Sequence, residues 1–149
     1  DDEICSKLIG LNTSKGYILV KDLNCKYRNS GIKQGCIVYE AIFKLNYGFD
    51  VNKVELYDKL RANQPKYASA GSCFKNMQKP KPYFVAKLLD EVGLKGQRVG
   101  DMEFSQKHCN FLINKGNGTY EDAILLINLA KKKVKEKFNI DIELEIKLL

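Results

Sequence analysis

The chain has 149 residues, of which 44% are hydrophobic and 29% charged, a balance ordinary for a folded protein of one domain or two small ones. No apolar run approaches the length of a membrane span, so we expect no membrane association. The five cysteines include no Cys-x-x-Cys pair and there is a single histidine, which argues against a zinc site and a disulfide framework. We therefore expect a reduced, cytoplasmic protein without a bound metal.

The net charge is +7, and much of it comes from a cluster of five lysines, Lys131, Lys132, Lys133, Lys135 and Lys137. A solvated helix face is the commoner explanation of such a run, and nucleic-acid binding is the more specific one. The chain lacks the aromatic sheet signature of the common RNA-binding modules, so we expect no nucleic-acid partner. A mild positive field would also attract a nucleotide diphosphate sugar.

The first third of the chain predicts a hairpin, a strand and a helix. The short apolar runs 7–11 and 17–21 flank a turn-forming segment, which is typical of a β-hairpin. Residues 36–45 alternate, which predicts a strand whose buried side carries Ile37, Tyr39, Ala41, Phe43 and Leu45. Asp50 is a suitable N-cap for a helix to about Ala62, with an apolar stripe of Val54, Tyr57 and Leu60.

The remaining elements are helix, strand, helix and strand. A helix is expected from Pro82 to a cap at Gly93, with an apolar side formed by Phe84, Val85, Leu88, Leu89 and Val92. Residues 111–113 form a short buried strand, and Thr119 caps a helix that runs to about Phe138. Alternation over 140–148 predicts a closing strand with Glu143 and Glu145 on its polar side. This order indicates an α+β fold with an antiparallel sheet.

The segment Ala70–Asn76, between two of these helices, concentrates the chemistry of the chain. Gly71 permits a close approach of backbone or ligand because it has no Cβ. Ser72 offers a proton donor, Lys75 a positive charge, and Asn76 both a donor and an acceptor. The segment is predicted to be a loop or short strand rather than core, either a solvated turn or a site for an anionic, oxygen-rich ligand. His108, farther on, is interpreted as a structural or ligand-orienting group.

Seven short segments follow one another along the chain: Tyr27–Ser30, Arg61–Pro65, Ala70–Asn76, Val92–Gly96, Ser105–Phe111, Asn114–Asn117 and Glu143–Lys147. In this order they closely resemble the C-terminal half of the UDP-N-acetylenolpyruvoylglucosamine reductase family. Members of that family are flavoenzymes that complete UDP-N-acetylmuramate in peptidoglycan synthesis. The resemblance covers nearly the whole chain. It implies that residues 1–63 are the end of an FAD-binding domain and that residues 64–149 are a small substrate-binding domain.

The resemblance also implies a reaction and its residues. Hydride passes from NADPH to FAD and then to the enolpyruvyl double bond of a UDP-sugar. Ser72 matches the proton donor, and Arg28 and Glu145 match the residues that stabilise the intermediate. Three further residues match positions near the substrate: Arg61, Lys75 and Asn76. The family usually has proline where Leu144 stands, which leaves Glu143 as an alternative to Glu145.

One feature of the family is missing from this sequence. The glycine-rich segments that hold most of the flavin have no counterpart here, and no other glycine-rich loop could cradle a phosphate. The resemblance therefore implies that these residues are the second half of a longer enzyme, whose missing N-terminal half binds the FAD. The alternative is a non-catalytic nucleotide-sugar-binding domain, which flavin absorbance of the pure protein would distinguish from the reductase.

Overall fold

The computed structural model of the chain describes residues 4–26, 29–77 and 82–148. It divides into two compact units, Asp1–Asp50 and Val51–Leu149. The first unit contains strands β1 (Leu8–Thr13), β2 (Gly16–Leu19) and β3 (Val38–Phe43). The second unit contains α1 (Val51–Arg61), β4 (Ala68–Ser72), α2 (Val85–Glu91), β5 (Arg98–Val99), β6 (Met102–Phe104), β7 (Phe111–Asn114) and α3 (Tyr120–Phe138).

The first unit is a three-stranded antiparallel sheet in the order β2-β1-β3. The predicted hairpin is confirmed, since β1 pairs with β2 and Thr13 lies opposite Gly16. The Thr13 hydroxyl tightens the turn, because it donates to the Gly16 carbonyl at 2.7 Å and accepts from the Lys15 N–H at 3.1 Å. Gly16 has φ +100°, a conformation that glycine adopts without steric cost.

The predicted strand over 36–45 forms, but the prediction that one of its sides is buried is wrong for this unit. Tyr39 is 70% exposed and Leu45 79% exposed. The alternation correctly indicated a strand, but burial requires a second layer. Among the described residues of this unit, no α-helix or second sheet covers β3.

The helix after Asp50 is also confirmed, while its apolar stripe differs from the prediction. α1 ends at Arg61, as expected before Gln64-Pro65. None of its residues is buried, and Val54, Tyr57 and Leu60 are 41%, 57% and 65% exposed. Val51 and Leu56 are exposed as well, so the apolar residues of α1 do not form one buried side in this chain.

The expectation that the chain has no disulfide is wrong, because Cys5 and Cys25 are joined by one. Cys5 precedes β1 and Cys25 follows β2. A hairpin reverses the chain and so brings its two flanks together; the Cα atoms of these cysteines are 6.8 Å apart. Their separation of 20 residues gave no sign of this in the sequence. Within the described residues, no group of side chains could hold a metal ion.

The second unit has the α+β architecture that the sequence predicts. Its antiparallel sheet has the order β4-β7-β6-β5, and α3 packs against β5, β6 and α2. The core joins α2, α3 and one face of the sheet, with Leu89, Phe104, Leu112, Leu126 and Val134 among its members. β5 and β6 have only two and three residues, too few for the alternation that identifies a strand from sequence.

Both helices of this core have the ends that the sequence indicates. Thr119 forms a capping box with Asp122, and α3 ends at Asn139 in the left-handed conformation. After α2, Gly93 has φ +71° and the Leu94 N–H donates to the Leu89 carbonyl at 2.9 Å. Two details differ from prediction: Pro82 precedes the helix, and Phe84 is 71% exposed. Phe84 has extended backbone at the N-cap, so its side chain does not share the buried helical face.

The lysine cluster serves the packing of α3. Lys133 and Lys137 donate to the carbonyls of Val92 and Glu91, at 3.4 and 2.7 Å, and so supply cations to the C-terminal end of α2. Lys135 pairs with Asp141 at 2.6 Å. These contacts give three of the five lysines a partner within the chain. In the part of the chain that the structure describes, no helix is long and apolar enough to cross a membrane.

The predicted closing strand over 140–148 is wrong in extent. Only Leu144 forms a bridge, opposite Phe74, and the remaining described residues are irregular. The segment around Phe74, which pairs with the tail, explains the short pairing. After Lys75 this segment no longer pairs with the tail, and Met77 bridges Tyr83 instead. The alternation still gave the correct inner side, since Ile142 is 4% exposed and Ile140, Leu144 and Ile146 pack against the core.

Candidate functional site

β4 ends in a bulge that presents Ser72. Ser69 pairs with Ile113 and Ser72 with Phe111, with a shift in register between the two pairs. Gly71 lies in this shift with φ +85°, and a Cβ built on it would meet nothing within 4 Å. Glycine is therefore needed for the conformation, and the space beside it is open.

The residues after Ser72 enter the core, so the prediction that Ala70–Asn76 is not core is wrong in its middle. Cys73 and Phe74 are fully buried. Burial raises the pKa of the Cys73 thiol to about 12, so this cysteine stays protonated and is no nucleophile at neutral pH. The segment thus alternates between core anchors and the polar groups Ser72, Lys75 and Asn76.

Asn110 holds this segment from one side. Its side-chain Oδ1 accepts from the Phe74 N–H at 3.0 Å, and its Nδ2 donates to the Phe74 carbonyl at 2.8 Å. Its own carbonyl accepts from the Cys73 N–H at 2.7 Å. Asn110 is 1% exposed. Asn110 is not among the residues predicted for the site, because an asparagine before a strand is common and its burial is visible only in the structure.

The C-terminal tail holds the segment from the other side. The Glu145 N–H donates to the Cys73 carbonyl, and the Lys75 N–H donates to the Glu143 carbonyl, both at 2.9 Å. The chain therefore brings Glu145 next to the peptide that follows Ser72, although 73 positions separate Ser72 and Glu145. Glu143 is exposed and pairs with Lys75, Nζ to Oε2 3.2 Å, whereas Glu145 is partly buried.

The other predicted site residues have different surroundings. The Oδ1 of Asn76 accepts from the Val85 N–H at 3.0 Å, so its observed contact is with the first turn of α2. Arg61 is exposed at the end of α1. In the described ranges, no hydrogen bond or ion pair joins its side chain to Ser72, Lys75 or Asn76. Arg28 lies outside the described residues.

A polar cavity of about 280 Å³ opens on the sheet face that carries Ser72. Residues directly opposite each other in a sheet lie on one side, so Ser69, Ser72, Phe111, Ile113 and Glu103 share a face. Ile113 and Glu103 line the cavity with Pro65, Lys66, Tyr67, Ser105, Gln106, Lys107 and Lys115. Buried Glu103 pairs with Lys115 at 2.6 Å, which leaves Lys66 and Lys107 to give the cavity a positive rim.

His108 belongs to the same region. Its ring meets the edge of Phe111, the residue opposite Ser72, with centroids 4.9 Å apart. Among the described residues, its buried Nδ1 is the side-chain atom that lacks a hydrogen-bond partner. The ring contact agrees with a structural role for the histidine.

On the helix-covered side, a second cavity of about 280 Å³ is mainly apolar. Cys73, Met102, Leu112, Ala123 and Ile146 contribute to its lining. The candidate polar residues Ser72, Lys75, Asn76 and Glu145 are not among its lining residues. None of these four residues lines the polar cavity either, whereas Ser69 and Gly71 line the apolar one. The lysines of the polar cavity are the groups that favour an oxygen-rich ligand there.

Comparison with known proteins agrees with this arrangement. The family model for the C-terminal domain of UDP-N-acetylenolpyruvoylglucosamine reductase matches residues 64–149, which include β4, the Asn110 contacts and the tail. The chain belongs to this reductase family. The resemblance inferred from short segments is thereby confirmed.

Individual members of the reductase family extend the match to nearly the whole chain. The chain is 48% identical to the UDP-N-acetylenolpyruvoylglucosamine reductase of Campylobacter jejuni strain RM1221, over 96% of this chain and 54% of that protein. It is 50% identical to the enzyme of the same name from Helicobacter hepaticus, over 83% of this chain and 45% of that protein. It thus spans about half the length of these curated relatives.

A solved reductase of the family has the same fold. The crystal structure of the reductase from Thermus caldophilus matches with a TM-score of 0.81 at 30% identity, covering 96% of this chain and 53% of that one. Four of the predicted site residues, Ser72, Lys75, Asn76 and Glu145, fall within the range matched by the reductase family model. Arg28 and Arg61 precede that range. The proposed domains, 1–63 and 64–149, stay a prediction.

Proposed function

We propose that this chain is the substrate half of an NADPH- and FAD-dependent reductase that converts UDP-N-acetylglucosamine enolpyruvate to UDP-N-acetylmuramate in peptidoglycan synthesis. The observation that carries the proposal is the hydrogen bond from the Glu145 N–H to the Cys73 carbonyl, within the family-matched range. It brings the backbone of Glu145, the candidate carboxylate residue, next to Cys73, which follows the candidate proton donor Ser72 in the chain. A cytoplasmic location follows from NADPH and the UDP-sugar, which are cytoplasmic metabolites.

The chemistry requires a proton donor and charge stabilisation. The flavin, when bound, supplies a hydride to the enolpyruvyl double bond. The electron density that this leaves beside the substrate carboxylate must be stabilised, and the adjacent carbon must receive a proton. In this proposal Ser72 gives that proton, while Arg28 and Glu145 surround the developing charge. A serine hydroxyl is a weak acid, so its role depends on nearby cations and hydrogen bonds.

The residues of this chain could contribute to the flavin site beside Ser72 but not to the binding of the flavin phosphates. The space beside Gly71 is open, so a ligand could approach the backbone next to Ser72. In the described ranges no glycine-rich turn forms a phosphate cradle. We therefore assign the FAD pyrophosphate, and with it most of the cofactor site, to a separate N-terminal half.

The exposed apolar groups support such a partner half. α1 exposes Val54, Tyr57 and Leu60, and β3 exposes Tyr39. Exposed apolar side chains favour burial against a partner, and a chain that spans about half of its relatives leaves room for a flavin-binding half to provide it. These observations favour the partner half over a self-contained protein.

The substrate would enter from the polar side of the sheet. Lys75 and Asn76 are assigned to the substrate, and Arg61 to the region between substrate and flavin. Lys66 and Lys107 at the rim of the polar cavity add the positive charge that a diphosphate requires. Membrane and nucleic-acid partners have no place in this proposal.

Product analysis tests this function directly. The polypeptide that includes the flavin-binding half, supplied with NADPH and UDP-N-acetylglucosamine enolpyruvate, should yield a nucleotide heavier by two hydrogen atoms in mass spectrometry. Omission of NADPH should abolish the product. A protein that binds the nucleotide but neither oxidises NADPH nor forms this product would instead be the non-catalytic nucleotide-sugar-binding domain.

A further inference from the structure

We propose that Asn110 is a positioning residue that sets the orientation of Ser72 and links it to Glu145. The proposal rests on the reductase function assigned to Ser72. In the part of the chain that the structure describes, the two hydrogen bonds of the Asn110 side chain both go to the main chain of Phe74. Asn110 acts through the two peptide groups that follow Ser72 in the chain.

The Asn110 amide replaces a neighbouring strand at Phe74. It accepts from the Phe74 N–H at 3.0 Å and donates to the Phe74 carbonyl at 2.8 Å, the two bonds that a paired strand residue would exchange. Its carbonyl adds a third bond, from the Cys73 N–H at 2.7 Å. Because Asn110 is 1% exposed, water cannot readily take over the two side-chain bonds if the side chain is removed, whereas the main-chain bond to Cys73 does not depend on the side chain.

The backbone before Ser72 has the conformational freedom of a glycine, whereas the backbone after it is held by burial and hydrogen bonds. On its N-terminal side lies Gly71, with φ +85° at the register shift, where the chain has glycine's conformational freedom. On its C-terminal side, Cys73 is fully buried and its N–H is bonded to Asn110. The orientation of Ser72 is therefore determined chiefly from the Cys73 side, which Asn110 controls.

The peptide group between Cys73 and Phe74 joins the Asn110 side chain to the tail. Its N–H donates to Asn110 Oδ1 at 3.0 Å, and its carbonyl accepts from the Glu145 N–H at 2.9 Å. A shift of Cys73 would consequently move Ser72 and the backbone of Glu145 together. Catalytic groups lose much of their effect when displaced by about 1 Å. Asn110 is thus placed to affect both candidate groups at once.

Asn110→Asp provides a test with a signature in pH. The aspartate can still accept from the Phe74 N–H, but its second oxygen, when ionised, faces the Phe74 carbonyl and repels it. When protonated, that oxygen donates as the amide does. In the polypeptide that includes the flavin-binding half, reoxidation of reduced flavin by the enolpyruvyl substrate should slow by roughly ten- to a hundredfold at neutral pH. The slowing, relative to wild type at each pH, should diminish in acid.

Two further variants separate positioning from stability. Asn110→Ala should slow reoxidation at every pH. Asn114→Ala, at the other end of β7, removes a comparable amide that bonds the main chain of Gly116 and Gly118 instead. That control should keep the wild-type reoxidation rate, and all three variants should reduce the flavin with NADPH at the normal rate.

Hydrogen exchange keeps the inference testable apart from the reaction. Asn110→Ala should accelerate amide exchange at Phe74, whose N–H loses its acceptor, whereas Asn114→Ala should not. Unchanged exchange there, or equal slowing of reoxidation by the Asn114 control, would overturn the positioning role. If the wild-type enzyme formed no product, the proposed function would fail. Exchange would still test Asn110 by itself: accelerated exchange in Asn110→Ala would show that Asn110 holds this segment, and unchanged exchange would show that it does not.

Discussion

Replacement of Ser72 by alanine should abolish most of the second half of the reaction and spare the first. In the polypeptide with its flavin-binding half, Ser72→Ala should be reduced by NADPH at the wild-type rate. Its reoxidation by the enolpyruvyl substrate should be slower by about a hundred- to ten-thousandfold, the usual contribution of a positioned proton donor. Anaerobic stopped-flow absorbance of the flavin measures the two steps separately.

Ser69 supplies a matched control for that experiment. It is also a serine of β4, and it lies on the same sheet face as Ser72. Its hydroxyl oxygen accepts only a long bond, from the Gly71 N–H at 3.4 Å. Ser69→Ala should therefore leave both half-reactions near their wild-type rates. Normal reoxidation in Ser72→Ala would remove this serine from the role of proton donor.

A polypeptide of these 149 residues alone should be colourless and unable to oxidise NADPH. FAD requires groups that neutralise its pyrophosphate, usually backbone N–H groups of glycine-rich turns or a helix N-terminus. No glycine-rich phosphate loop occurs in this sequence. The core around α2, α3 and the sheet gives the second unit its own buried interior, so this part should fold.

Titration with FAD, followed by flavin fluorescence, measures that expectation. We expect no saturable binding, while circular dichroism shows the helices of the second unit. The polypeptide that includes the flavin-binding half serves as the positive control. Tight, stoichiometric FAD binding by the 149 residues alone would mean that the cofactor site has been assigned to the wrong half.

Local patterns predicted the elements whose signals lie within a few neighbouring residues. Thr119 with its capping box, Gly93 at the end of α2 and the β1–β2 turn all fall in this class. Burial was less predictable, because the apolar residues of α1 do not reveal whether another part of this chain packs against them. The Cys5–Cys25 disulfide depends on how the hairpin returns, which residue spacing does not encode.

The candidate site shows the same division. Gly71, Ser72 and Lys75 were visible as a group because they are consecutive in the sequence. The proximity of Glu145 came from family resemblance, and the structure places its backbone beside Cys73. Asn110 had no chemical signal of its own, since an asparagine before a strand is common. Its importance appears only when its amide is seen to bond both polar groups of Phe74.

The central claim is that Ser72 faces the reacting carbon of the substrate, and the most direct measurement is their separation in a complex. The whole enzyme would be crystallised with oxidised flavin and UDP-N-acetylglucosamine enolpyruvate. We predict that Ser72 Oγ lies about 3 Å from the carbon to be protonated, or one water molecule away, with the Glu145 carboxylate beside the enolpyruvyl group. An enolpyruvyl group bound away from Ser72, or one flanked by Glu143 in place of Glu145, would contradict this account of the site.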